Sequence, residues 1–179
     1  MTQHRIDVLY TAETIAARNR MLAEAIRDAG FSERLLVVAI LKGGFVFAAD
    51  LIRALHHAGV SPEVDFMSLS SYREGTTSTG RVTVLRDLET DVTGRNVLIV
   101  DDILESGRTL AYAKRLLAER GATRVGVAVL LDKPGHRAAD IEGDFVGFTC
   151  PDLFVVGYGM DMGHAFRELP YIGHVVGAD

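Results

Sequence analysis

One cysteine, Cys150, stands among 179 residues, so no internal disulfide framework is possible. That usage suits a reducing compartment, and a single buried thiol reads first as a small apolar side chain. No apolar run approaches the roughly 20 residues that a membrane-spanning helix needs. The start, MTQHRIDVLY, lacks the basic-then-apolar layout of a secretory signal, and the expectation is a cytoplasmic protein. Low-complexity tracts, long linkers and internal repeats are missing. The six histidines have no paired spacing of the kind a zinc site uses. A GxxxxGK motif followed by Ser or Thr is absent, as is GxGxxG, which argues against an NTPase and against a dinucleotide fold. The net charge of −5 argues against a broad nucleic-acid-binding surface and leaves any functional positive charge to be local.

What is present fits one domain, residues 1–179, with a sizeable core: 48% of residues are hydrophobic and 24% charged. Thr11 to Ala29 reads as an amphipathic helix stopped by Gly30. Leu35 to Leu41 reads as a buried strand, followed by Lys42-Gly43-Gly44 and a helix from Phe45 to about His57. Val64 to Leu69 is the next strand. Ser70 to Gly80, SSYREGTTSTG, reads as a mobile loop of lid type, with Arg81 to Leu85 as a hairpin partner. Further strands are expected at Val125 to Leu131, Phe145 to Phe148 and Phe154 to Tyr158. Strands alternating with helices predict an α/β fold with a mostly parallel sheet and right-handed crossovers.

The richest stretch is Asn96 to Leu110, NVLIVDDILESGRTL. Val97 to Val100 is apolar without alternation, as a strand buried on both faces should be. A helix from Thr109 to about Arg120 follows, closed by Gly121. Between them, Glu105-Ser106-Gly107-Arg108-Thr109 delivers backbone N–H groups and two hydroxyls at a helix N-terminus, an arrangement that favours phosphate. Asp101 and Asp102 could cap that helix, hold a metal or accept hydrogen bonds from sugar hydroxyls. A sugar-phosphate or mononucleotide site fits this turn best. Lys42-Gly43-Gly44 is a second strand-to-helix turn able to approach an anion closely. Lys133 closes the strand Val125 to Leu131 near the same edge and could donate to a carbonyl or simply be solvated. Phe154 could be core or a stacking platform for a flat ring. Asp161 could ligate a hard cation, and Arg167 could meet an anion.

Taken together, LKGG at Leu41, SY at Ser71, IVDDILESGRTL, LLDKP, DFVGF, PDLFVVGYGMD and FREL at Phe166 resemble the hypoxanthine-guanine phosphoribosyltransferases of the type I phosphoribosyltransferase family. The resemblance covers most of the chain. It implies a central sheet flanked by helices, with a small hood built from about residues 1–10 and 145–179. It implies transfer of a phosphoribosyl group from phosphoribosyl pyrophosphate (PRPP) to a 6-oxopurine in purine salvage, with Mg2+ as cofactor and a homodimer or homotetramer as the assembly. By the same resemblance, Asp101 and Asp102 would hold the ribose hydroxyls, and Glu105, Ser106, Gly107, Arg108 and Thr109 the 5′-phosphate. Lys42 and Gly43 would border pyrophosphate, with a cis peptide bond after the lysine, and Arg167 would contact pyrophosphate too. Ser71 and Tyr72 would form the lid. Lys133, Phe154, Val155 and Asp161 would receive the purine, and Asp161, Asp101 and Asp102 the metal. One residue departs from the family pattern. Glu105 stands where an aspartate usually faces the purine imidazole nitrogen as catalytic base. Two other readings are a nucleotide-sensing, RNA-binding regulator on the same fold, which needs a basic patch, and a transferase for another base such as xanthine. A donor at Lys133 favours a 6-oxo over a 6-amino purine.

Overall fold

The computed structural model describes residues 5–74 and 77–177, and the side chains of residues 71–81 fall outside that description. In chain order the elements are β1 (Ile6–Tyr10), α1 (Ala12–Asp28), β2 (Leu35–Leu41), α2 (Phe45–His57), β3 (Glu63–Glu74) and β4 (Thr77–Arg86). There follow β5 (Asn96–Leu104), α3 (Arg108–Glu119), β6 (Arg124–Asp132), a short 3-10 turn (Pro134–His136), β7 (Phe145–Thr149), β8 (Val155–Val156) and β9 (Ile172–Val175).

Six strands form the main sheet in the order β4-β3-β2-β5-β6-β7, all parallel except for the β3–β4 pair. The unbroken apolar run of β2 is explained by burial on both sides. Leu35, Val37 and Ala39 join a core with Leu22, Phe47, Leu51 and Leu55 from α1 and α2, while Leu36, Val38 and Ile40 join a second with Leu110 and Leu117 from α3. Thr11 caps α1 by accepting from the Thr14 amide, as a threonine before an apolar-periodic run should.

The chain runs outward from β2 to β3 on one side and from β5 to β6 and β7 on the other. The β2/β5 boundary is therefore the switch point of the sheet, where ligand crevices open beyond the carboxyl ends of the strands. β5 is the longer partner there. Its ladder to β2 ends at Ala39 opposite Val100, whereas its ladder to β6 continues to Leu104 opposite Asp132. Asp101 and Asp102 therefore belong to the strand rather than to the turn after it, and they stand where β2 has already left the ladder.

Three expectations are corrected. Ser70 to Gly80 is not wholly a loop: β3 runs to Glu74 and β4 starts at Thr77, with Ser70 paired to Thr83 and Arg73 to Ser78. Threonine suits strands, and a ladder needs only backbone groups, so polar composition misled. Phe145–Thr149 lies at the edge of the main sheet beside β6, not in the hood. The cis peptide bond precedes Lys42, between Leu41 and Lys42, rather than following it.

A second sheet, β1-β9-β8, is antiparallel and joins the two ends of the chain, with Ile6 opposite Val175 and Val155 opposite His174. The Tyr10 ring stacks on Phe148 at 4.2 Å, and its hydroxyl donates to the Thr149 carbonyl at 3.2 Å, fastening the hood to β7. Among the described residues, no helix is long and apolar enough to cross a membrane.

Candidate active site

The strand ends and the hood loop enclose a cavity of about 770 Å³. Its lining brings together Lys42 and Gly43 after β2, Asp102, Ile103 and Glu105 from β5 and its turn, and Lys133 after β6. The hood contributes Phe154, Val155, Asp161 and Arg167. An adjoining cavity of about 390 Å³ shares Glu105, Lys133 and Phe154 and adds Asp152, Leu153, His174, Val175 and Gly177. Residues from sequence positions 42 to 167 thus meet at one sheet edge.

The acidic pair is held by its own backbone. Asp101 Oδ1 accepts from the Asp102 amide at 2.9 Å, and Asp102 Oδ1 from the Ile103 amide at 2.8 Å. Neither caps α3, whose N-cap is Gly107, so the capping reading is excluded. Desolvation is the largest cause raising the Asp101 carboxyl well above the usual range, followed by repulsion from Asp102. Burial also raises Asp102, against which its hydrogen bonds and the Arg167 charge act downward. Gly43 packs directly on Asp102, and a Cβ there would overlap its Oδ2.

The turn before α3 has the character of an anion cradle. Gly107 at φ 76° supplies the left-handed step, and its own position offers no side chain to cap the helix. The Ser106 carbonyl accepts from Ala138 and Ala139 at 2.9 and 3.0 Å, and the Glu105 carbonyl from Arg137 at 3.0 Å. These bonds fix the turn from behind. Ser106, Arg108 and Thr109 sit at the mouth of α3 and are partly exposed, outside the lining of the two cavities.

At the other end, Lys133 is only 7% exposed, and its Nζ donates to the Leu153 carbonyl at 2.7 Å. Two of its three donors remain, and Glu105 Oε1 lies 3.9 Å away. Lys133 is therefore a buried cation in the cavity wall, not a solvated surface charge. Phe154 is 45% exposed, which removes the core reading and leaves a ring face open to the cavity. The Val155 side chain is buried, so only its backbone can meet a ligand. Asp161 has both oxygens engaged: Oδ1 lies 2.8 Å from Arg167 Nη2, and Oδ2 accepts from the His164 amide at 2.7 Å. Arg167 Nη1 also donates to the Gly159 carbonyl at 2.6 Å. Among the described residues, no three His, Cys, Asp or Glu side chains cluster as a metal-binding set. The backbone of Ser71 and Tyr72 lies in β3; their side chains, on which the lid expectation depends, lie outside the described residues.

Sequence reasoning missed Leu153, which serves through its carbonyl and so leaves no side-chain signal. It also missed Ile103, Met160 and the segment Ser68 to Ser70 of β3, all of which line the larger cavity.

A parallel sheet with acids, a helix start at Gly107 and a glycine turn gathered at its switch point is the architecture of a type I phosphoribosyltransferase. The family model described as phosphoribosyl transferase domain matches residues 6–162, and the chain belongs to that family. It is 42% identical over 178 residues to the hypoxanthine phosphoribosyltransferase of Salmonella typhimurium, with 97% of each chain covered. It is 44% identical to the hypoxanthine-guanine phosphoribosyltransferase of Bacillus subtilis, covering 97% of this chain and 95% of that one. Among solved structures, a hypoxanthine-guanine phosphoribosyltransferase from Bacillus anthracis, with a HEPES molecule in its active site, superposes with a TM-score of 0.90. That match has 40% identity and covers 97% of this chain and 100% of the other.

Proposed function

We propose that residues 1–179 act as one unit that transfers the phosphoribosyl group of PRPP to hypoxanthine, guanine or both, releasing pyrophosphate, in purine salvage. The observation that carries this reading is one cavity with a buried lysine and an open aromatic ring at one end and an acidic pair beside a glycine turn at the other. A flat base with a 6-oxo group suits the first end. A ribose phosphate suits the second.

In this reading the base stacks on Phe154, Lys133 donates to its 6-oxo group, and the Val155 backbone meets its edge. Asp101 and Asp102 accept the ribose hydroxyls. The turn Glu105 to Thr109 and the first N–H groups of α3 hold the 5′-phosphate, while Lys42, Gly43 and Arg167 face the pyrophosphate. As the bond from C1′ to pyrophosphate breaks, positive charge grows on the ribose ring, and the neighbouring carboxylates favour it. N9 of the purine then bonds to C1′, and Glu105 takes the proton released from the imidazole ring. Ser71 and Tyr72 would close the site against water, which otherwise would hydrolyse the activated sugar.

Mg2+ is the cofactor we propose, and one or two of Asp101, Asp102 and Asp161 would hold it with the substrate. The donor set fits, because Mg2+ keeps most of its waters and takes few protein carboxylates, so no three-residue cluster is required. When bound, it neutralises charge on the leaving pyrophosphate. We further propose a cytoplasmic homodimer or homotetramer, which size-exclusion chromatography with light scattering reads directly.

The deciding measurement is pyrophosphate release with PRPP, Mg2+ and a panel of free bases. Turnover is expected with hypoxanthine or guanine and not with adenine. No turnover with any 6-oxopurine would sink the proposal.

A further inference from the structure

The Tyr158 hydroxyl touches none of the substrate positions assigned above, yet it joins three parts of the molecule. The side chain is 6% exposed, and the residue stands at φ 50°, a left-handed conformation that is an outlier for a bulky residue and asks for an explanation. The hydroxyl donates to Asp50 Oδ2 on α2 and accepts from Asn19 Nδ2 on α1 at 2.9 Å. Burial and the Asp50 carboxylate push the phenol upward, so it keeps its proton for the Asp50 bond across the physiological range. Asp50 Oδ1 is paired in turn with Arg53.

The backbone on either side of that hydroxyl shapes the pyrophosphate end of the site. The Tyr158 amide donates to the Leu169 carbonyl at 2.8 Å, and the Gly159 amide to the Arg167 carbonyl at 3.1 Å. The Gly159 carbonyl in return receives Arg167 Nη1. Gly159 also lies so close to the glycine turn that a Cβ would stand 2.5 Å from the Gly43 carbonyl oxygen. α2, which carries Asp50, begins directly after that turn.

We propose that Tyr158, anchored by Asp50 and Asn19, is a positioning residue. It presses Gly159 onto Gly43 and, through the Gly159 carbonyl, aims the Arg167 guanidinium at the pyrophosphate of PRPP. The inference rests on reading the cavity as a PRPP site.

The test uses the full chain and two readouts: calorimetric binding of PRPP with Mg2+, and steady-state kinetics with hypoxanthine. Tyr158→Phe keeps the ring and removes the hydroxyl. The Kd and KM for PRPP should rise about tenfold, equivalent to about 1.4 kcal/mol. The KM for hypoxanthine should stay within about twofold because the residues at the base end are untouched, and kcat should fall by no more than the KM for PRPP rises. Asp50→Ala should reproduce that loss, and the double variant should be no worse than either single one, since both remove one contact. Asp50→Asn, which can still accept from the phenol, should restore most of the affinity. If PRPP binding stays within about twofold of wild type while Tm falls, Tyr158 only stabilises the fold and the proposal is overturned. Should Tyr158→Phe fail to fold, Asn19→Ala and Asp50→Ala carry the same comparison. Wild-type protein that binds PRPP but turns over no 6-oxopurine removes the proposed activity, while the binding comparison still decides on Tyr158.

Discussion

Glu105 is the residue on which the proposed chemistry turns. Its carboxylate reaches to 3.9 Å from Lys133 Nζ while remaining half exposed, which keeps it beside the end of the cavity that the proposal gives to the base. A positioned general base contributes about 10²- to 10⁴-fold. Glu105→Gln keeps the shape and loses the proton acceptor, and kcat with hypoxanthine should fall about 10²-fold or more by the same reasoning. Full turnover in that variant would remove Glu105 from the mechanism. Asp101 makes a separate claim about pH. Its folded carboxyl holds a proton to higher pH than its unfolded one, so the folded chain binds more protons between the ordinary and the raised value. Stability from this group is therefore full below the ordinary carboxylate range and declines as pH rises through that window. Asp101→Asn abolishes the buried charge. Its Tm should exceed that of wild type at pH 7.5, and the gap should shrink as pH falls into the ordinary carboxylate range. Differential scanning calorimetry across that range checks the sign; PRPP affinity should fall in the same variant.

At the scale of elements, the start of α3 is the most sensitive to backbone chemistry. Gly107 sits at φ 76° with Ile141 Cγ2 only 2.5 Å from where a Cβ would stand. Gly107→Ala meets both the left-handed penalty of about 1–2 kcal/mol and that overlap. Urea denaturation should show a loss of about 2 kcal/mol or more, and PRPP affinity should drop with it, because the phosphate turn must shift. Some elements were readable from the residues alone. The bounds of β2 and α2 agree with the sequence reading because an apolar run buried on both faces passes into a helix through a glycine turn, and each signal is local. The β3–β4 hairpin was only half readable, since its ladder ignores the Ser and Thr side chains that suggested a loop. β1 and β9 left no clear local signal. Ile6 finds its partner only at Val175, across almost the whole chain. The same divide runs through the site. Asp101, Asp102 and the α3 turn are contiguous and could be seen as a motif, whereas Leu153 acts by its carbonyl and Asp161 is tied up by Arg167, neither of which a residue type announces.

On the scale of the whole molecule, two sheets divide the labour. The six-stranded sheet presents Lys42, Gly43, Asp102 and Glu105 at its switch point, and the hood carries Phe154, Val155, Asp161 and Arg167 down onto them. Among the described residues no three His, Cys, Asp or Glu side chains cluster as a metal-binding set. The proposed Mg2+ would then enter with its substrate, and its energetic effect should be confined to the bound state. Removing it with EDTA should leave the Tm of the free chain within about 1 °C of its starting value, unlike a structural metal site, where metal-binding free energy is folding free energy. PRPP alone should then stabilise little. With Mg2+ restored and PRPP at a hundred times its Kd, stabilisation should reach about 2.7 kcal/mol, readable as a Tm rise of several degrees. A large fall in Tm on adding EDTA to the free chain would mean that a metal is built into the fold, and the substrate-borne assignment would have to be abandoned.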